Sequence, residues 1–480
     1  MKKVVIIGGG FCGTICAINL ARLSPVPLHI SIIDKSHLPC RGIAYATRNP
    51  QHLLNVAARN MSALADQPHH FVEWLRTRSE YLDESDETLR SKFVPRQLYG
   101  DYLHNLFQWY AGALSSEKGQ RLDYFKGEID DIIFGNKEAS VILGGGRTLA
   151  ADKVILAVGN QAPASLPLPG LDVESWKYIG NPWLGWEEKL PSLDRDILLV
   201  GTGLTMADTF LTLQNLGWRG RILALSRNGL LPLSHFKGFD YPDFVEEENL
   251  TVGLRRIFSV FKKHHRILQS DKLNPTILID KLRPVTQRIW QSFSLREKKQ
   301  FNRHFRTRWN VKRHRLAPEV HQQLSRAIAQ GRLEIIKGRL LECRESADQL
   351  SIEAESGGGK RIIKVGALIN CTGPEEGFFP SKSLLFKNLI SRGAVAPDQM
   401  NMGIQTTPDY SVINREGNRS ETLFALGGIL KGSLWETTAV PELRSQAFRI
   451  AETIAAQLSE ANSEKSPISE VLEDVLEYSI

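Results

Sequence analysis

The chain is poor in cysteine and lacks a long apolar run, and each shortage removes a class of function. Its 480 residues include five cysteines, Cys12, Cys16, Cys40, Cys343 and Cys371, none in a Cys-x-x-Cys pair. An odd count without paired spacing excludes a disulfide framework and a structural zinc site, and no metal site is expected. Cys12 and Cys16 are one helical turn apart, so two free thiols on one helix face are expected. The Cys-x-x-x-x-Cys pair of a disulfide reductase is missing after the first glycine turn. No stretch reaches the roughly 18 apolar residues of a membrane span. Residues 1–7 start like an export signal, but Gly8, Gly9, Gly10 and Gly13 interrupt the apolar segment such a signal needs. A cytoplasmic location and no membrane partner are the expectations.

Acids are scarce in one region only. Residues 251–320 hold 18 of the 60 lysines and arginines but only Asp271, Asp280, Glu297 and Glu319 among the acids. The basicity of the chain therefore belongs to one segment, and charge of one sign beside a cleft attracts anions.

What the sequence does have is glycine in two telling places. A strand over residues 3–7 runs directly into Gly8-Gly9-Gly10-Phe11-Cys12-Gly13, then a helical pattern over 14–23 and a second strand over 28–33 closing on Asp34-Lys35. This Gly-x-Gly-x-x-Gly gains specificity from its strand–turn–helix–strand setting and the acid that follows. Gly8 serves the tight turn, Gly10 the approach of a pyrophosphate, and Gly13 close helix–strand packing. The start of the helix faces the phosphates, and Asp34 suits ribose hydroxyls. A second unit repeats the pattern at Gly201-Thr202-Gly203-Leu204-Thr205-Met206-Ala207, with its next strand closing on Ser226-Arg227. Gly8 to Asp34 and Gly201 to Arg227 are both 26 residues. An acid at that spacing suits a free 2′-hydroxyl and a base suits a 2′-phosphate, which assigns the first unit to FAD and the second to NADPH. Met206 occupies the third small position, so Ala207 is expected to take the packing role.

Three more strand-to-glycine segments accompany these units: residues 152–160 with Gly159, residues 367–374 with Thr372-Gly373, and residues 423–428 with Gly427-Gly428. A helix begins near Val440-Pro441, where proline suits the first turn, and its positive end is expected at the flavin. Gly428 stands where such flavoproteins commonly place an aspartate.

With these segments in view, the chain resembles the FAD/NAD(P)-binding flavoproteins that include FAD-dependent urate hydroxylases and nitrosuccinate-forming aspartate N-monooxygenases. More distantly it is similar to ornithine and lysine N-hydroxylases. The resemblance is carried by Arg41-Gly42-Ile43-Ala44-Tyr45, by His52-Leu53-Leu54-Asn55-Val56 with Met61-Ser62, and by Phe93-Val94-Pro95-Arg96. Further along it rests on Ser226-Arg227 continuing to His235, on Trp309 before Arg313-His314-Arg315, and on Trp435-Glu436 before Ala439-Val440-Pro441-Glu442-Leu443-Arg444. It implies that the loop with Leu54, Asn55 and Val56 lies beside the flavin, that Asn55 hydrogen-bonds the ring, and that Arg96 meets a cofactor phosphate.

These readings give an α/β fold of two Rossmann-like dinucleotide-binding domains, glutathione-reductase-like, with a helical insertion. The expected organisation is an FAD-binding domain over 1–165 and 366–480, and an NADP-binding domain over 166–365 carrying the basic insertion 240–335. Within the insertion Leu254, Ile257, Phe258 and Phe261 fit one helix face, and Ile289, Trp290, Phe293 and Leu295 another. Arg313, His314 and Arg315 are the expected anion-binding or catalytic cluster, against the alternative of a solvated basic face. A nucleic-acid partner has no recognisable module behind it. An acidic tail is expected to end in a helix over 469–478. The expected reaction is NADPH-driven reduction of FAD, then oxygen activation as a flavin C4a-hydroperoxide and hydroxylation of a small polar or anionic nitrogen-containing substrate. A reductase without oxygenation and a flavin redox sensor are the rivals. The sequence is silent on oligomeric state.

Overall fold

In this computed structural model, residues 1–36, 38–135, 138–246, 250–375, 377 and 383–460 are described. The helix expected over 469–478 lies outside them.

Each glycine turn sits at the centre of its own parallel sheet. Strands β1 (Lys2–Ile7), β2 (Leu28–Asp34), β3 (Arg121–Lys126) and β4 (Lys153–Leu156) are ordered β3-β2-β1-β4, and Arg419–Ala425 and Ser411–Ile413 extend the sheet beyond β4. Helix α1 (Phe11–Leu23) is buried from Phe11 to Ala21, and its sequence there is mostly apolar, with Thr14 and Asn19 as the buried polar residues, rather than striped. It packs between the sheet, the long helix α2 (Arg96–Lys118) and the C-terminal helix Val440–Glu460.

The second sheet repeats the design. Strands β5 (Ile197–Val200), β6 (Ile222–Ser226), β7 (Leu333–Glu345) and β8 (Ala367–Asn370) are ordered β7-β6-β5-β8, and helix α3 (Leu204–Asn215) follows β5. The antiparallel strands Leu350–Ser356 and Gly359–Val365 join at β7, turning through Gly357 and Gly358, both at positive φ. A small three-stranded sheet over Ile129–Phe134, Ala139–Leu143 and Thr148–Ala151 turns at Gly145 and Gly146 in the same way. The protein is thus a mixed α/β fold with two Rossmann-type dinucleotide units.

One boundary differs from the sequence reading. The sequence places the segment from 366 in the first unit, whereas β8 pairs in parallel with β5 of the second sheet. A short run of three apolar residues, Ala367-Leu368-Ile369, fits a central strand of either sheet. The pairing is fixed by contacts far away in sequence, such as Gly366 N–H donating to the Asp196 carbonyl.

The basic segment forms a helical layer that includes α4 (Leu254–Ser270), α5 (Leu295–His304) and α6 (Arg306–Arg313). Leu254, Ile257, Ile289, Trp290 and Phe293 are buried in its own core. That core also takes in Met402 and Trp435, and the Trp290 and Trp435 rings stack 4.8 Å apart. Ser294 opens α5 with a reciprocal capping box to Glu297. The other Glu297 oxygen accepts from Leu254 N–H at the start of α4.

Candidate active site

The two glycine turns have matching geometry. Gly8 (φ +107°) and Gly201 (φ +113°) each place a hypothetical Cβ against the backbone of the neighbouring strand's exit, 2.3 Å from the Ala157 oxygen and 2.4 Å from the Cys371 oxygen. No side chain fits either place. Gly13 faces the same constraint, since its Cβ would lie 1.9 Å from the Gly8 oxygen. Both helices begin at a glycine, Gly10 and Gly203, with no side-chain cap. Their first N–H groups are left for an outside acceptor, as a dinucleotide pyrophosphate requires. Met206, wholly buried, occupies the third position in the second unit, and Ala207 beside it is buried as well.

The residue read as the ribose partner differs between the units in a way that simple spacing obscures. Gly8 N–H donates to the Ile33 carbonyl, and Gly201 N–H donates to the Leu225 carbonyl. Asp34 is therefore matched by Ser226, and Arg227 stands one residue further on, matched by Lys35. The equal count of 26 is offset by one in the hydrogen-bond register, because the connection into β6 is one residue shorter. Each matched residue also braces its glycine turn. Asp34 Oδ2 accepts from Gly9 N–H at 2.5 Å and Oδ1 from Ser36 N–H at 2.6 Å, while Ser226 Oγ lies 2.9 Å from Thr202 Oγ1. Arg227 is exposed.

A cavity of about 3100 Å³ runs between the two units. Gly8, Gly10, Phe11, Cys12, Asp34, Lys35, Leu54, Asn55, Val56, Arg96, Gly159 and Gly428 line it on one side. Leu204 and Thr205 at the start of α3 line it on the other, and Arg313, His314 and Arg315 reach it from the insertion. Gly13, Gly201, Gly203, Ser226, Arg227, Thr372, Gly373 and Gly427 stand off its wall. Gly427 braces the site from behind: its N–H donates to Gln446 Oε1 and its carbonyl accepts from Thr437 Oγ1. A Cβ on Gly428 would lie 2.3 Å from Asn160 Oδ1, so an aspartate at this position would require the Asn160 side chain to move. Thr372 donates from its backbone and hydroxyl to Asn370 Oδ1, which shapes the exit of β8.

Arg96, expected at a cofactor phosphate, is engaged elsewhere. Its Nη1 lies 2.7 Å from Asp208 Oδ2 on α3 and its Nε donates to the Leu53 carbonyl. His52 Nε2 contacts the Asp208 carbonyl at 2.9 Å and Thr212 Oγ1 at 3.0 Å, and its Nδ1 meets Thr47 Oγ1. His235 Nε2, from the second unit, contacts the Asn55 carbonyl at 2.8 Å. Burial lowers the His235 pKa to about 4, so the ring is neutral and donates from Nε2. The loop beside the first glycine turn is thus held from two sides by the second unit.

The Arg313–His314–Arg315 cluster divides by role. Arg315 is buried and spent: Nη1 pairs with Asp280 at 3.0 Å, Nη2 and Nε donate to the carbonyls of Thr276 and Lys312, and the guanidinium lies over Phe236. Arg313 sits between two carboxylates, with Nε 3.2 Å from Glu436 and Nη2 3.6 Å from Glu442. Arg283 grips Glu442 with two hydrogen bonds, and Trp309 Nε1 donates to Glu436. Burial alone would raise the Glu442 pKa, but the bonds and charge of Arg283 outweigh it, and the carboxyl is held below its ordinary range. The cluster's positive charge is therefore largely balanced inside the protein. His314 lines the cavity, and burial lowers its pKa, assisted by Arg313 and Lys431.

Asp208 and Arg283 are not marked by any motif in the sequence, and Glu436 and Glu442 enter there only as part of the Trp435–Arg444 resemblance. Asp208 carries a signal of its own, as the one charged residue in α3.

Residues 5–161 match a family model described as FAD-NAD(P)-binding. No curated protein matches the sequence significantly. Among solved structures, L-lysine 6-monooxygenase from Pseudomonas syringae aligns with a TM-score of 0.64 and 16% identity, over 96% of this chain and 100% of that one. Ornithine N-hydroxylase from Kutzneria sp. 744, solved with reduced FAD, NADP⁺ and L-ornithine, aligns at 0.63 and 15%, over 95% and 100%. Ornithine hydroxylase from Pseudomonas aeruginosa gives 0.63 and 16% over the same shares. At such identities the likeness is one of fold, and it spans nearly the whole chain.

Proposed function

We propose that this chain is an FAD-dependent monooxygenase, reduced by NADPH, that hydroxylates a small polar or anionic nitrogen-containing substrate. The observation that carries the reading is one cavity receiving both uncapped helix starts, α1 and α3. Such an arrangement suits a hydride donor and its acceptor in a single space. Support for oxygen transfer comes from the full-length likeness to enzymes named for hydroxylating lysine and ornithine. Thiol–disulfide chemistry is poorly served. Cys12 and Cys16 are buried and unpaired, and burial pushes the Cys12 thiol up to about 12 and Cys16 further, far from a reactive thiolate.

The chemistry supplied by bound FAD is acceptance of hydride from NADPH and activation of oxygen. The chain's own residues bind and position. Gly10 and the first amides of α1 receive the FAD pyrophosphate, and Asp34 its ribose. Gly203, Leu204 and Thr205 receive the nicotinamide dinucleotide, with Ser226 and Arg227 at its 2′-phosphate. Asn55 presents its amide to the flavin-side space, and Arg313 and His314 face the reacting region. Glu442 at the start of the C-terminal helix, paired with Arg283 and close to Arg313, keeps that end of the cavity near neutral.

The finer resemblance supplies the first substrates to try: urate and aspartate, beside ornithine and lysine. The test is oxygen uptake and NADPH oxidation by the FAD-loaded protein across that panel, with products read by mass spectrometry. The reading expects one compound to accelerate turnover and gain one oxygen atom per NADPH. NADPH oxidation that yields only peroxide with every candidate amine, amino acid and purine would replace it with a reductase.

A further inference from the structure

The basic insertion is not absorbed by this chemistry. Its inner side, with Arg283, Arg313 and Arg315, is paired with carboxylates at the cavity. Its outer side is different. Helix α4 contains no acid, and α5 and α6 together contain only Glu297, whose two oxygens are taken by the N–H groups that start α4 and α5. Arg255, Arg256, Lys262, Lys263 and Arg266 are exposed along α4, and Arg296, Lys299, Arg303 and Arg308 along α5 and α6. The helices lie side by side: Leu254 meets Glu297, the Phe258 and Phe305 rings are 4.5 Å apart, and Lys312 lies over the Phe261 ring. The exposed cations therefore form one face two helices wide, and none of the nine has a carboxylate partner among the described residues.

Large apolar side chains stand in and around this face. Ile267 is 41% exposed, one turn after Lys263 on the same stripe, and Val252 and Leu273, each 43% exposed, flank the two ends of α4. The phosphate backbone of a duplex is met by cations and neutral hydrogen-bond donors rather than by aliphatic side chains, whereas a lipid interface takes cations at its headgroups and apolar side chains beneath them. The apolar face of α4 itself is packed into the insertion's core through Leu254, Ile257 and Leu268, so adsorption requires no unfolding.

We propose that the α4–α5–α6 face is a docking surface for an anionic lipid bilayer, on which the protein rests peripherally. No helix among the described residues is long and apolar enough to cross a membrane. The sequence reading of no membrane partner rested on that criterion, and surface adsorption does not need such a helix. The attraction is electrostatic and weakens with salt, with the short apolar contacts adding to it.

The test is sedimentation of the full chain with phosphatidylcholine vesicles containing about one third phosphatidylserine, at low salt. The protein should pellet with these vesicles, stay in solution with pure phosphatidylcholine, and be released at 1 M salt, where screening is nearly complete. Lys262→Gln/Lys263→Gln/Arg266→Gln should weaken partitioning by about a hundredfold, at about fivefold per cation. Ile267→Ser/Leu273→Ser should weaken it several-fold without changing net charge, which also guards against misfolding of the triple variant. Equal partitioning of wild type and triple variant overturns the proposal, as does failure to pellet with anionic vesicles. Tighter binding of short duplex DNA, unaffected by Ile267→Ser/Leu273→Ser, assigns the face to nucleic acid instead.

Discussion

Arg96 Nη1 lies 2.7 Å from Asp208 Oδ2, joining the first residue of α2 to the helix that opens the second dinucleotide unit. Both side chains are largely buried, 12% and 9% exposed, so each relies on the other more than on solvent. Removing one partner of such a pair costs about 3–5 kcal/mol. Arg96→Ala should therefore lower stability by that order in denaturant unfolding. Arg96→Ala/Asp208→Ala should cost clearly less than the sum of the single changes, because no carboxylate is left unpaired. Additive losses would mean that the two residues do not act as a pair.

Gly10 is where backbone must come close to a pyrophosphate. A Cβ there already meets Gly42 Cα at 3.3 Å, and valine adds two methyl groups at the start of α1. Gly10→Val is expected to weaken flavin retention at least tenfold, about 1.4 kcal/mol, with the fold otherwise kept. The check is flavin absorbance per mole of purified protein, beside circular dichroism. A fully yellow variant would remove the FAD assignment.

Arg227 bears on cofactor choice. A charge-assisted hydrogen bond to the 2′-phosphate contributes about 1.5–3 kcal/mol. Arg227→Ala should raise KM for NADPH roughly 10- to 100-fold while leaving KM for NADH nearly unchanged. An equal effect on both would show that Arg227 does not meet the phosphate.

His235 makes a pH prediction. Its pKa falls from an ordinary 6.5 to about 4 on folding, mainly through burial. The unfolded chain binds the proton more readily between those values, so stability from this group is present above pH 6.5 and is lost as pH falls toward 4. The full effect is about 3 kcal/mol. His235→Gln, which retains a donor for the Asn55 carbonyl, should flatten the wild-type decline over that interval in urea unfolding series. Parallel curves would contradict a buried neutral His235.

The parts legible in sequence are those set by local geometry. Gly8, Gly13 and Gly201 announce themselves because their backbone and contacts leave no room for a side chain. Leu254, Ile257 and Trp290 were readable as core from helical spacing. The fate of charges was not readable. Arg96 and Arg315 look like free anion ligands until Asp208 and Asp280 arrive from distant segments. The sheet to which β8 belongs and the one-residue offset between Asp34 and Arg227 were hidden too, since both are set by pairing between strands.

The central claim is that NADPH and FAD meet in the cavity between the two glycine turns. Anaerobic rapid mixing of the FAD-loaded protein with NADPH, followed at the visible flavin band, tests it most directly. The account predicts complete bleaching, slowed by deuterium at the transferred position of the nicotinamide, and much weaker saturation by NADH. A flavin that stays oxidised in the presence of saturating NADPH would contradict it.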